Sequence, residues 1–245
     1  MSTTLTIAKR EFRSSFDSPL AYVVICLGLL SLGFIFFYMN GGFWQADRAS
    51  LQQLFYQLPR ILSFLVIPVV TMRLLAEEKR SGTLEMLITL PVKDHEVILG
   101  KFLGAWGLVL LLIFSTALYP LMMFYFPWHL GSLDSGPIVA GYVGLVLYSA
   151  AAVSIGLLIS SITETQVIAV FVTFIILASL HLLGLGLEQM ENPMVRNVIA
   201  FISFDTRLAP FARGMINSRD VIFFLSITVG CLMASFRALE RRKWA

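Results

Sequence analysis

Charge is what this sequence has least of: 13% of its 245 residues are Asp, Glu, Lys or Arg, against 58% hydrophobic, and the mean hydropathy is +0.83. A soluble domain of this size needs a far more polar surface, so the composition excludes one and points to an integral membrane protein. Cysteine is also sparse. Cys26 and Cys231 both fall inside hydrophobic runs, which excludes a disulfide framework and a thiolate metal site. The basic excess is small, 18 against 15, and no basic tract occurs, so nucleic acid is not an expected partner.

Motifs that carry chemistry are missing as well. The only Gly-Lys pair, Gly100-Lys101, is followed by Phe102 and lacks the upstream glycine of a phosphate-cradling loop, so this chain is not expected to bind ATP. It has no His-Glu-x-x-His, no Gly-x-Ser-x-Gly and no paired carboxylates within a span, which weakens any reading as an intramembrane enzyme. No catalytic, cofactor-binding or metal-ligating residue is assigned. An energy source, if one is needed, has to reside in a partner.

What remains is a series of uncharged runs divided by short polar punctuation. Residues 20–39 carry no charge and, as a helix, reach roughly 30 Å, about one hydrocarbon thickness. Further spans are expected at about 61–76, 97–126, 137–161, 165–187 and 221–236, giving an all-α integral membrane protein with six transmembrane helices. The first run follows basic residues as a signal peptide would, but its length and the later spans mark it as retained. Residues 4–16 set Leu5, Ala8, Phe12 and Phe16 on one stripe away from Lys9, Arg10 and Arg13, an N-terminal amphipathic interfacial helix that ends at the Ser18-Pro19 break. Leu51, Leu54, Phe55 and Leu58 have helical spacing in residues 51–58, which predicts a short surface helix on the outer face.

Several positions inside the spans carry specific expectations. Pro68 should bend the second span, Arg73 should snorkel to the inner interface, and Lys101 should anchor the inner end of the third. Ser149, Ala152, Gly156 and Ser160 form a small-residue stripe for close packing against another helix. His181 lies within the fifth span, with no second His or carboxylate at ligand spacing, so a helix-to-helix hydrogen bond is favoured over proton transfer or a metal. With both termini inside, twelve basic residues face the cytoplasm and six lie outside.

The organising stretch is Glu77-Glu78-Lys79-Arg80-Ser81-Gly82-Thr83-Leu84-Glu85-Met86-Leu87, closed by Pro91, within a cytoplasmic segment at 77–96. Glu77 to Arg80 can extend the second span beyond the bilayer, Gly82 permits a sharp turn, and Thr83 can cap a short helix with Glu85 in its first turn. Pro91 blocks simple continuation, and Asp94 is placed to cap the next helix. A short helix held between two spans can move only by moving them, which suits transmission of force.

This order, followed ten residues after Pro91 by Lys101 in a Gly-Lys-Phe-Leu-Gly setting, resembles the coupling region of type 2 ABC transporter permeases. It is closest to the permeases of gliding motility and of nitrous oxide reductase maturation. The resemblance implies that Glu77, Glu78, Lys79, Arg80, Gly82, Thr83, Glu85, Leu87 and Pro91 couple to a separate ABC ATPase subunit, which would hold ATP and Mg. It implies a subunit of an ATP-driven exporter, not itself an enzyme, in the bacterial plasma (inner) membrane and paired with a second permease protomer of the same or a related chain. A periplasmic or extracellular accessory protein is compatible with it. Lys93 departs from the family pattern, in which a hydroxyl residue commonly precedes the position of Asp94. The competing reading of the sequence is a membrane scaffold or assembly factor that moves nothing, separable by whether an ATPase co-purifies.

Residues 188–218 are the second informative stretch, since 31 residues far exceed what two adjacent spans need. Asn192-Pro193 reads as a helix start, followed by Val195, Val198, Ile199 and Ile202 at helical spacing, and Asp205-Thr206 can start a second helix ending near Gly214. Similar permeases have a re-entrant hairpin before the last span. On that resemblance Ile199, Ile202, Leu208, Phe211 and Met215 are expected to form an outer gate, the alternative being an amphipathic helix on the outer surface.

Overall fold

The computed structural model describes residues 3–38, 51–80, 82, 93–124, 135–186 and 192–241, and among them the regular structure is entirely helical. Helix α1 (Thr3–Asp17) precedes α2 (Pro19–Tyr38), a 20-residue apolar helix, and the two meet at 77°. Apart from α2, five described helices are long and apolar enough to cross a membrane: Gln52–Arg80, Asp94–Leu121, Gly136–Ile162, Gln166–Leu185 and Ser218–Glu240. Counting the bent α1–α2 pair as one span makes six.

The second span departs from the sequence expectation. Residues 51–58 do not form a separate surface helix, because Gln52–Arg80 runs as one 29-residue unit. Its parts are α3 (Gln52–Ile61), a π turn (Leu62–Val66), α4 (Ile67–Thr71) and α5 (Ala76–Arg80). Leu51, Leu54, Phe55 and Leu58 are buried, so their helical spacing marks a core-facing stripe rather than one resting on a bilayer surface. In the π turn the Ile67 N–H reaches the Leu62 carbonyl, five residues back. Pro68 follows at once and has no N–H to give, so the irregularity expected of it takes the form of a widened turn upstream.

The third span begins with α6 (Asp94–Ser115) and continues after a break as α7 (Leu118–Phe124). Pro120 explains the break, since it cannot donate to the Thr116 carbonyl, and the Tyr119 N–H takes that bond at 3.0 Å. At the start of α6 the cap position is Lys93, one residue before the expected Asp94, because the Glu96 carboxylate reaches back 3.3 Å to the Lys93 N–H. Asp94 lies in the first turn, where its charge favours the helix dipole.

Helix α8 (Ser135–Ile162) is the hub, in contact with α3, α4, α6, α9 (Gln166–Leu185), α11 (Phe204–Ala212) and α12 (Ser218–Arg241). Thr165 caps α9 by accepting from the Ile168 N–H. The small-residue stripe makes the hub possible within a single chain, with Ser149, Ala152 and Ser160 all fully buried. A Cβ at Gly156 would lie 2.3 Å from Thr71 Oγ1, so α4 and α8 cross where only glycine fits. Ser160 also mends the gap between α4 and α5. Its hydroxyl accepts from the backbone N–H of Leu75 and of Ala76, each at 3.1 Å, donors that the interrupted helix leaves without carbonyl partners.

The uncovered apolar side chains lie mainly on α2, α9 and α12, for example Leu30, Phe34, Val167, Phe171 and Ile222. That is the distribution of a chain solvated by lipid. Gly156→Leu should therefore destabilise the isolated chain, and not merely an assembly of chains, by at least about 1–3 kcal/mol through overpacking. Thermal unfolding in detergent checks this, and an unchanged midpoint would mean that Gly156 is not the close crossing point.

Candidate functional site

Two polar clusters interrupt the apolar interior, one at the α5 end of the second span and one at its α3 end, called inner and outer after the orientation expected from the sequence. The inner cluster includes the first part of the expected coupling segment. On α5, Glu77 and Arg80 are exposed while Glu78 and Lys79 turn inward. Gly82 follows at φ +70, a conformation that a β-carbon disfavours, in agreement with the expected sharp turn. Thr83, Glu85, Leu87 and Pro91 lie outside the described residues.

Lys101 is not the snorkelling anchor expected from the sequence. Its side chain is 4% exposed, with Nζ 2.7 Å from Glu78 Oε1 and 3.5 Å from Glu11 Oε2. Two carboxylates from different helices answer one desolvated ammonium, a geometry that offsets the desolvation cost an isolated buried lysine would carry. The burial comes from α1, which lies across α6. A Cβ at Gly100 would sit 2.6 Å from Ile7 Cγ2 and one at Gly104 2.7 Å from Glu11 Cβ, so the two glycines flanking Lys101 are the bed of α1. This docking also changes the face of α1 that is used. Ala8 is buried as expected, but Ile7 and Glu11 join it against α6, while Leu5 is left 59% exposed.

Lys79 makes the second attachment. Its Nζ donates to the carbonyls of Ser161 and, at 3.1 Å, of Thr163, at the inner end of α8. A lysine there satisfies carbonyls that the helix leaves open and complements the negative end of its dipole. Arg73 donates to Ser18 Oγ at 2.9 Å, where α2 begins. The elbow is thus bound directly to α6 and α8, and the same end of the second span is tied to α2 through Arg73 and to α1 through Lys101.

The outer cluster centres on His181 of α9. Its Nε2 meets Tyr148 Oη of α8 at 3.0 Å, the expected helix-to-helix bond. Its Nδ1 meets Asp205 Oδ1 at 2.6 Å, a carboxylate partner that the sequence reading did not find. Asp205 Oδ2 in turn accepts from Arg60 at 2.9 Å, and Tyr148 bonds Ser63 and donates to the Pro59 carbonyl at 2.9 Å. One connected network therefore joins the second, fourth and fifth spans to α11. Among the described residues, no group of three His, Cys, Asp or Glu is arranged to hold a metal ion.

The hairpin consists of α10 (Pro193–Ile202) and α11, and its start at Asn192 is as expected, with Oδ1 accepting from the Met194 N–H at 3.0 Å. Asp205 is not the cap of the second helix. Ser203 holds that position, and the Asp205 carboxylate is directed across the chain to His181 and Arg60. Of the expected gate residues, Leu208 and Phe211 are buried, Phe211 lying against Gly144 of α8, while Ile202 and Met215 are about half exposed and Ile199 is partly buried. Arg207 is also buried. It pairs with Asp220 of α12 at 2.8 Å and lies between the rings of Phe201 and Phe223, 4.6 and 4.9 Å from their centres.

Asp205 lies on α11, outside the spans. Burial pushes its carboxyl up, but the hydrogen bonds and charges of His181 and Arg60 pull it down further, leaving it below the ordinary value of 3.8. A folded-state value below the unfolded one means the ionised form stabilises the fold above about pH 3.8, a contribution lost as pH falls through the folded value. Asp205→Asn should cost about 1–3 kcal/mol at neutral pH by leaving Arg60 and His181 without their anion. It should also remove this part of the acid-side loss. Denaturant unfolding from pH 7 down to pH 3 measures both, and a variant as stable as the parent at neutral pH would contradict the network.

Residues 48–236 match the family model described as ABC-2 family transporter protein. The chain is also similar to the probable multidrug ABC transporter permease YbhR of Escherichia coli strain K12 and of Escherichia coli O157:H7, 25% identical over 146 residues in each case. That alignment covers 58% of this chain and 38% of each relative, so it spans well under half the length of the curated relatives it matches. With the family matched across most of its length and with a multi-pass helical architecture, the chain belongs to the ABC-2 family of transporter proteins, as a type 2 ABC transporter permease.

Proposed function

We propose that this chain is the membrane-spanning subunit of an ATP-driven exporter and converts the motion of a separate ATPase subunit into movement of its spans. The observation that carries this reading is the bracing of the elbow: Glu78 to Lys101, Lys79 to the end of α8, and Arg73 to the start of α2. A push delivered to residues 77–80 would pass directly to those helices. ATP and Mg belong to the partner in this reading, and the working unit contains a second permease protomer, of this or a related chain. The chain has six spans with both termini in the cytoplasm of a bacterial inner membrane.

At the opposite end, the hairpin is the outer closure. Buried Leu208 and Phe211 key α11 to α8, and the exposed apolar side of α10, including Ile202, is suited to lie in the outer leaflet or against a second protomer. Motion of α8 would then reach the hairpin directly. The expected gate residues Ile199, Ile202, Leu208, Phe211 and Met215 act here as two sets, one fixed in the core and one at its edge.

Two variants test the coupling. Gly82→Pro cannot adopt the positive φ of the turn, and Glu85→Lys reverses a charge in the segment expected to enter the ATPase cleft. Both should leave the chain inserted and folded but reduce substrate-stimulated ATP hydrolysis of the assembled complex by about tenfold or more, a loss of roughly 1.4 kcal/mol in coupling. Normal stimulation and transport in both would defeat the proposal.

A further inference from the structure

The second span is interrupted between α4 and α5, and nothing in its own sequence requires this. Residues 72–75 are Met, Arg, Leu and Leu, all strong helix formers, and the nearest proline, Pro68, lies upstream of the break and accounts for the π turn before it. The helix is still regular at Met72, whose N–H reaches the Pro68 carbonyl at 3.1 Å. At Leu74 the N–H turns back three residues, to the Thr71 carbonyl at 3.3 Å. The N–H groups of Leu75 and Ala76 then leave the helix for a single oxygen, Ser160 Oγ of α8, which itself donates to the Met72 carbonyl at 3.4 Å. Leu74, Leu75 and Ala76 are buried, so water does not supply substitute partners.

A helix that its own residues would continue, but that a neighbour's hydroxyl holds open, has two ways of satisfying the same groups. In the arrangement seen here, Ser160 serves both amides. In the other, Leu75 bonds the Thr71 carbonyl and Ala76 the Met72 carbonyl in an unbroken α-helix. The Ser160 hydroxyl then turns to a carbonyl of its own helix, as the hydroxyls of Ser149, Ser154 and Ser161 already do on α8. Each arrangement gives the two buried amides an acceptor, so the packing of α8, rather than the loss of hydrogen bonds, decides between them.

We propose that residues 72–75 are a two-state joint, with Ser160 as the positioning residue that holds it open. When the joint is open, α5 is bound to α6 through Glu78 and to α8 through Lys79, and it moves with those two helices. When it is closed, α5 becomes the last turn of α4 and rotates with the second span, because each residue added to a continuous helix is fixed in rotation and rise. That rotation carries Glu78 and Lys79 off their present partners. The elbow thereby changes which spans it drives. The joint is a property of this chain alone; its use in transmission rests on the coupling reading above, so the two stand or fall by different measurements.

Two readouts on the full chain in detergent test the joint together. The first is the distance between spin labels at Arg80→Cys on α5 and Arg237→Cys on α12, both exposed positions, in a background of Cys26→Ala and Cys231→Ala, measured by double electron–electron resonance. The second is amide hydrogen exchange at Leu75 and Ala76. Ser160→Ala removes the shared acceptor and should move the labels to a second distance, while exchange at both amides stays within about threefold of the parent because the helix has closed over them. Ser161→Ala, whose hydroxyl bonds the Leu158 carbonyl of its own helix, should leave both readouts at the parent values. An unchanged distance in Ser160→Ala would overturn the joint. A changed distance with exchange faster than that limit would overturn it too, since that is the behaviour of a frayed break that Ser160 merely braces, and so would the same shift in Ser161→Ala.

Discussion

A single ammonium group, that of Lys101, sets the terms at the inner end of this protein. Burying it without partners would cost several kcal/mol, so the fold at this end has to keep Glu78 and Glu11 in place. Those two carboxylates belong to the elbow after the second span and to the amphipathic N-terminal helix, elements with no sequence proximity to Lys101. Gly100 and Gly104 allow α1 close enough to exclude water, and exclusion of water makes the pairing obligatory. An ordinary interfacial helix could slide over the membrane surface. This one is tied to the third span at the residue where the elbow is also tied.

The outer end repeats the principle with different chemistry. His181, Asp205, Arg60 and Tyr148 come from four helical segments, and each satisfies another's hydrogen-bonding groups away from water. Between the two clusters, α8 and α4 cross at Gly156 and Thr71 with no room for a β-carbon. The second and fourth spans are therefore clamped at both ends and in the middle, whereas α2, α9 and α12 leave broad apolar faces outward.

What could be read from the sequence was whatever depends on local composition or on neighbours along one helix. The apolar spans followed from length and lack of charge, the Asn192 cap from the Asn-Pro pair, the sharp turn at Gly82 from glycine, and the close approach of α8 from the spacing of Ser149, Ala152, Gly156 and Ser160. What could not be read were pairings across the chain. Lys101 looked like an interfacial anchor because a lysine near the end of a span usually is one, and nothing local announces that α1 will cover it. His181 had no carboxylate at helical spacing because its partner stands 24 residues away on another helix. Leu51, Leu54, Phe55 and Leu58 showed the correct period, but a period alone does not say whether the apolar stripe meets lipid or protein. One signal was available and went unused: the two glycines flanking Lys101 at four-residue spacing mark a helix-packing bed, and that places the lysine under whatever helix lies there.

The central claim is that the Lys101 cluster joins the elbow and the third span energetically as well as geometrically. A double-mutant cycle with Lys101→Met, Glu78→Gln and the pair, read by denaturant unfolding in detergent, measures it. Lys101→Met alone leaves Glu78 and Glu11 facing each other without a cation, so each single variant should be destabilised and the pair by less than the sum, with an interaction energy of about 0.5–3 kcal/mol. Additivity within about 0.3 kcal/mol would show that Lys101 and Glu78 do not depend on one another, and would contradict the account.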